Sequence, residues 1–212
     1  MKRSAIVIMA AVIVISLYFC GPARASGVLG IALTGGMNVT NVYGDNAGPT
    51  DSKIGFLGGM SFSYMFTERL GVQPEALYHR KGYKQNLLGI DLTWTLDYVE
   101  IPLLLRIVFP MESSLSLSFF FGPALTFNIK SELKTEDGGE ETTEDMRDVT
   151  SPMDLGSVLG VNLGIDAGSA IIILDARYTL GFMTIDDTGE ARVKNNSFSF
   201  MVGVAFPLGG AE

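Results

Sequence analysis

From residue 28 onward, apolar and polar residues alternate with a period of two, in segments separated by turn signals. In 114–127, Leu115, Leu117, Phe119, Phe121, Leu125 and Phe127 share one face, while Ser114, Ser116, Ser118, Gly122, Ala124 and Thr126 share the other. The same split recurs in 154–166, where Leu155, Leu159, Val161, Leu163 and Ile165 oppose Gly156, Gly160, Asn162, Gly164 and Asp166. In 197–206, Phe198, Phe200, Val202, Val204 and Phe206 oppose Ser197, Ser199, Met201, Gly203 and Ala205. The pattern predicts eight strands, near 28–40, 54–66, 70–83, 91–108, 114–128, 154–166, 169–182 and 197–207. Each reaches or exceeds the roughly 9–11 residues that a tilted strand needs to cross a bilayer. Parity changes in the fourth near Asp97: Leu92, Trp94 and Leu96 follow one phase, Val99, Ile101, Leu103, Leu105 and Ile107 the other. A β-bulge, or a segment standing above the bilayer, accounts for such a change.

The connections alternate in length. Residues 41–53, 129–153 and 183–196 are long and 84–90 medium, whereas 67–69, 110–113 and 167–168 are short. Outer-membrane barrels keep short turns on the periplasmic side and longer loops outside. A soluble lipocalin-like barrel also has about eight strands, but it would turn its apolar face inward and its charges outward. Here the small, polar face is rich in Gly, Ser and Ala, which suits the cramped lumen of a small barrel. The apolar face carries almost no charge, with Arg80 and Asp97 at the outer strand ends. Aromatics near strand ends, such as Tyr64, Phe66, Trp94 and Phe109, suit interfacial girdles. The expected fold is therefore all-β: a closed antiparallel up-and-down transmembrane barrel of about eight strands.

The amino terminus fits that compartment. Lys2 and Arg3 precede an apolar run over 5–19, and Ala23-Arg24-Ala25 offers a cleavage site. The run is shorter than the roughly 20 residues of a spanning helix. Residues 1–25 are thus expected to be a cleaved signal peptide and 26–212 the outer-membrane barrel domain. Cleavage removes Cys20, the only cysteine, and with it disulfide and thiolate chemistry. It also removes Lys2, Arg3 and Arg24 from a chain whose formal net charge is already −8. So acidic a chain repels phosphate backbones, which argues against nucleic-acid binding. A mean hydropathy of +0.31, with no later stretch of helix-spanning length, points again to a barrel.

Residues 96–104, Leu-Asp-Tyr-Val-Glu-Ile-Pro-Leu-Leu, resemble the "YxEIPLLL" strand of the PorT-like outer-membrane β-barrel family. Val72-Gln73-Pro74-Glu75-Ala76-Leu77-Tyr78 with Lys81-Gly82 is similar to the family's preceding strand, and Asp175-Ala176-Arg177-Tyr178 with Gly181 to its seventh. The resemblance implies an eight-stranded outer-membrane barrel in a family mostly of unassigned activity, with one branch linked to protein secretion.

Charge collects on the inward face. By parity, Glu75, His79 and Lys81 point into the lumen from the third strand, Glu100 and Arg106 from the fourth, and Asp175 and Arg177 from the seventh. Buried charges require partners, so a cross-lumen network that plugs the barrel is expected; a selectivity ring is the alternative. His79, the only histidine, turns inward beside Lys81 with no obvious nucleophilic serine adjacent, so no catalytic residues are assigned. No metal-ligand spacing and no cofactor motif occur. Residues 130–154 carry nine acidic side chains against Lys130, Lys134 and Arg147, and Gly138-Gly139 breaks any helix. They read as a solvated, mobile extracellular loop. The expected role is a structural or interaction barrel without enzymatic activity, a narrow channel or solute-binding barrel being the second reading. The expected partners are outer-membrane lipid and lipopolysaccharide, with the barrel-assembly machinery during insertion. The acidic loops leave room for an extracellular or envelope protein partner.

Overall fold

The computed structural model describes residues 28–44, 49–87, 89–111, 114–186, 188 and 192–208. The expected signal peptide and Cys20 lie outside them. Nine strands follow in order: β1 (Val28–Tyr43), β2 (Asp51–Met65), β3 (Leu70–Leu87), β4 (Ile90–Pro110), β5 (Leu115–Asp137), β6 (Glu140–Asp145), β7 (Met153–Asp166), β8 (Ile171–Gly181) and β9 (Lys194–Pro207). Every pairing is antiparallel. Eight strands close a ring, β1-β2-β3-β4-β5-β7-β8-β9 and back to β1, while β6 pairs with β5 alone. Closure removes the sheet edges that lipid would not tolerate.

Alternation sorts the side chains as a membrane barrel requires. Phe119, Phe121, Phe198, Phe200, Val202 and Val204 are exposed on the outside, while Ser118, Ser197, Ser199 and Met201 are buried within. That arrangement is the inverse of a lipocalin's. Aromatic pairs gather near the strand ends: Tyr64 edge-on to Phe66 and Phe109 to Phe119 at the short-turn end, and Phe56 stacked on Tyr78 nearer the long-loop end.

The change of apolar phase near Asp97 comes with no bulge in β4 itself. The β3–β4 register runs unbroken from Leu77↔Glu100 to Leu87↔Ile90, and Leu96, Tyr98 and Glu100 are all buried on one face. The irregularity lies in the partner strand: Asp97 pairs with Lys130 and Tyr98 with Asn128, leaving Ile129 as the extra residue of a bulge in β5. Leu96 and Tyr98 can face inward because this part of the wall is capped from inside by Val42, Ile185 and Val193. Apolar residues on the inner face thus mark a lid over the polar lumen. At the bulge, Arg80 grips Asp97 with two hydrogen bonds, Nε to Oδ1 at 2.7 Å and Nη2 to Oδ2 at 2.8 Å.

Two loop expectations also fail. The medium connection at 84–90 is a tight turn, since β3 runs to Leu87 and β4 begins at Ile90. The mobile acidic loop is a hairpin, in which β5 continues to Asp137 and β6 returns beside it. Gly138 and Gly139, at φ +56° and +95°, supply the two left-handed residues that a tight hairpin turn demands. Lys134 bridges Glu136 at 2.6 Å and Glu141 across the strands at 2.9 Å. Hydrogen bonds from Arg147 hold the Asp145 carboxyl below its ordinary pKa. The hairpin carries no hydrophobic alternation, so its period is invisible to a hydropathy reading.

The outward placement of Phe200 is directly testable. Phe200→Arg puts a cation at mid-strand on the lipid face, and should destabilise the folded barrel by about 2–4 kcal/mol in reversible unfolding from vesicles. Thr143→Arg, on the hairpin, should leave stability within about 0.5 kcal/mol.

Candidate functional site

The lumen is filled in layers. On β3 the inward row is Gln73, Glu75, Leu77, His79 and Lys81; β4 contributes Arg106, Leu104 and Glu100; β8 contributes Ile173, Asp175, Arg177 and Thr179. β3 and β8 stand four strands apart either way round the ring of eight, so contacts between them cross its full width.

Arg177 makes that crossing. Its Nη1 donates to Glu75 Oε2 at 2.6 Å and Nη2 to Oε1 at 3.2 Å, while Nε and Nη2 reach Asp175 Oδ1 and Oδ2 at 2.8 and 2.9 Å. These three side chains are no more than 3% exposed. Two carboxylates thus hold one guanidinium bidentately, the geometry for which its fork is shaped. The Phe120 ring lies 4.9 Å from the guanidinium carbon, and Leu104, Ala124 and Val158 pack around that ring. Gln73 extends the group by donating to Glu75 Oε1 at 2.7 Å and accepting from Arg106 Nη1 at 3.3 Å.

Nearer the long-loop end lies a second group. Glu100 Oε2 accepts from Lys81 Nζ at 2.7 Å and lies 3.1 Å from His79 Nδ1. Lys81 also stands over the Tyr98 ring at 5.5 Å. His79 Nε2 lies 3.3 Å from Ser197 Oγ, which in turn meets Ser199 Oγ at 3.2 Å. The absence of a serine near His79 is therefore corrected: β9 brings one 118 residues away in sequence. Ser197, His79 and Glu100 follow the connectivity of a hydrolytic triad. All three are at most 1% exposed, and none of them lines the cavity at the short-turn end or the one beside Tyr83 and Ile185. Ser197 is thus buried in the lumen together with the rest of this hydrogen-bonded chain.

The seven inward residues singled out from the sequence therefore fall into two separate groups. Arg106 joins the first only through Gln73, and its remaining contacts are Ser118 Oγ at 3.1 and 3.2 Å and Asn162 Oδ1 at 3.4 Å. Asp154, counted with the acidic loop, is buried at the start of β7 and accepts the Met183 N–H at 3.0 Å. Gln73, Ser118, Asn162 and Ser197 carry no charge to single them out, although strand parity places each of them inward. Among the described residues, no group of three or more His, Cys, Asp or Glu side chains is placed to hold a metal ion.

A family model described as "Outer membrane protein beta-barrel domain" matches residues 24–187. The chain belongs to that family. Its compartment is therefore the outer membrane, and lipid surrounds the apolar girdle described above. The outer membrane protein OprG of Pseudomonas aeruginosa matches with a TM-score of 0.54 at 15% identity, covering 87% of this chain and 97% of that one. Neisserial surface protein A matches at 0.51 and 14%, covering 84% and 96%. At such identities the likeness is one of fold. No curated protein matches the chain.

Removing one partner from a buried ion group typically costs about 3–5 kcal/mol. Arg177→Ala should therefore destabilise the barrel by that order in lipid-vesicle unfolding. Leu174→Ala, one residue of opposite parity on the same strand, should cost less than half as much.

Proposed function

We propose that this protein is a closed outer-membrane barrel with a structural or interaction role, its lumen plugged by charge and its acidic hairpin presented outside the cell. The observation that carries the reading is the Glu75–Arg177–Asp175 clasp, which spans an interior that eight strands make only wide enough for side chains. The Lys81–Glu100–His79 group fills the next level, and the apolar cap of Val42, Leu96, Tyr98, Ile185 and Val193 covers it. An ion crossing this path would have to break buried pairs at two levels.

The loop lengths support an extracellular hairpin, because the short connections at 66–69 and 167–170 and both described ends of the barrel share the opposite side. On this reading the hairpin is what a partner meets first. The lipid around the barrel includes lipopolysaccharide, and the barrel-assembly machinery inserts the chain. Tyr98-Val99-Glu100-Ile101-Pro102-Leu103-Leu104 supports placement in the PorT-like branch. In the fold that motif puts Glu100 in the lumen and Ile101 on the outside. Burial of the Ser197–His79–Glu100 chain supports a non-enzymatic role.

Planar-bilayer conductance tests the plug. Wild type should show little steady current, and replacing Glu75, Glu100, Asp175 and Arg177 together by small neutral residues should admit water and raise it. A large, stable wild-type current, altered only in ion preference by neutralisation, would mean that the charges line a pore. Sidedness has its own readout: a glutamate-specific protease added to intact cells should cut between Glu136 and Glu144 while the barrel stays folded. Cleavage only after the outer membrane is opened would reverse the orientation.

A further inference from the structure

Below the clasp the lumen is not filled. A cavity of about 560 Å³ opens at the short-turn end and reaches up to Arg106. Its wall combines Ser63 and Ser116 with the apolar side chains of Met65, Val108 and Ile173. Glu68, exposed in the β2–β3 turn, is the other charged residue that lines it, at the rim.

Arg106 differs from the other inward cations. Arg177 is held by two carboxylates and Lys81 by one, whereas Arg106 has no ion pair among the described residues and meets only the oxygens of Ser118, Gln73 and Asn162. Those contacts occupy four of its five N–H donors, leaving one on Nη1. Its charge balances the second carboxylate of the clasp at a distance, so the clasp and Arg106 are neutral together, and inside the rim the first charged group is a cation. An anion entering from below passes the solvent-exposed Glu68 at the rim and then meets Arg106 before Glu75 or Asp175, both of which are already engaged by Arg177.

We propose that this vestibule binds a small amphipathic carboxylate from the periplasmic side, with its head on Arg106 and the Ser116 hydroxyl and its alkyl chain against Met65, Val108 and Ile173. The volume falls within the roughly 300–1,000 Å³ of pockets that take small molecules, and the lining fits their usual form of apolar walls with a few polar groups. A free phosphate would find one guanidinium but nothing that rewards apolar walls. The site rests on the closed-lumen reading only in being blind at its upper end.

The probe is octanoate, titrated calorimetrically into the full barrel in phospholipid nanodiscs, with the signal of empty nanodiscs subtracted. Wild type should bind it saturably at one site. Octan-1-ol, which lacks the charge, and inorganic phosphate, which lacks the chain, should each bind at least tenfold more weakly. Arg106→Gln should weaken octanoate at least tenfold and Arg106→Lys should restore part of that loss. Ser63→Phe fills the vestibule without touching Arg106 and should weaken octanoate equally; it carries the test if the Arg106 variants fail to fold. The proposal is overturned if folded wild type gives no saturable signal, or if Ser63→Phe binds within twofold of wild type. Octan-1-ol or phosphate matching octanoate would overturn it as well. A steady wild-type current in the bilayer experiment would remove the plug and leave this titration to stand or fall alone.

Discussion

A guanidinium enclosed in a barrel lumen must have its charge and its donors met by the protein, and the arrangement around Arg177 follows from that constraint. Leaving such a group unpaired is costly, so carboxylates come from its own strand (Asp175) and from the diametrically opposite one (Glu75). The second pairing ties the two walls together and fixes which residues stand level with each other. Phe120 lies beneath the guanidinium, and it has room because the Cα partner of Arg177 on β7 is Gly160. Any Cβ there would collide with the Phe120 ring. One buried cation therefore sets a glycine, an aromatic and two acids on four different strands.

The rest of the interior is graded about this level. Above it the Lys81–Glu100–His79 group repeats the same solution with a lysine, and above that the inner face turns apolar and encloses its own small core. Below it the interior opens into the vestibule under Arg106. The lumen is thus filled toward the long-loop end and open at the short-turn end, an asymmetry that strand number alone does not specify. Outside, the β5–β6 hairpin extends the sheet beyond the ring, and its acidic side chains discourage pairing at the β6 edge with a second copy.

The barrel was legible because its two faces differ in composition at every step. Phe198, Phe200 and Val202 point out and Ser197, Ser199 and Met201 point in for a reason that period two expresses directly. Inward placement of Glu75, Glu100, Asp175 and Arg177 followed from the same count. What the count lacked was rotation around the ring: Ser197 meets His79 only because β9 and β3 lie three strands apart in a narrow circle. It placed the change of apolar phase near Asp97 but not the strand that carries the bulge. Leu96 and Tyr98 obey alternation, but the face they occupy is an interior, and hydropathy does not distinguish an enclosed core from a lipid surface. The acidic hairpin was missed because its signal is turn chemistry and cross-strand charge, carried by Gly138-Gly139 and Lys134–Glu141.

Everything above depends on Glu75 and Arg177 acting as a coupled pair across the lumen. A double-mutant cycle on Glu75→Gln and Arg177→Gln, read as unfolding free energy from lipid vesicles, measures that coupling directly. The double variant should be destabilised far less than the sum of the single ones, with a coupling of at least about 2 kcal/mol, near the upper end for residues in contact. Additivity within about 0.5 kcal/mol would show that the two side chains do not depend on each other, and would contradict the clasp.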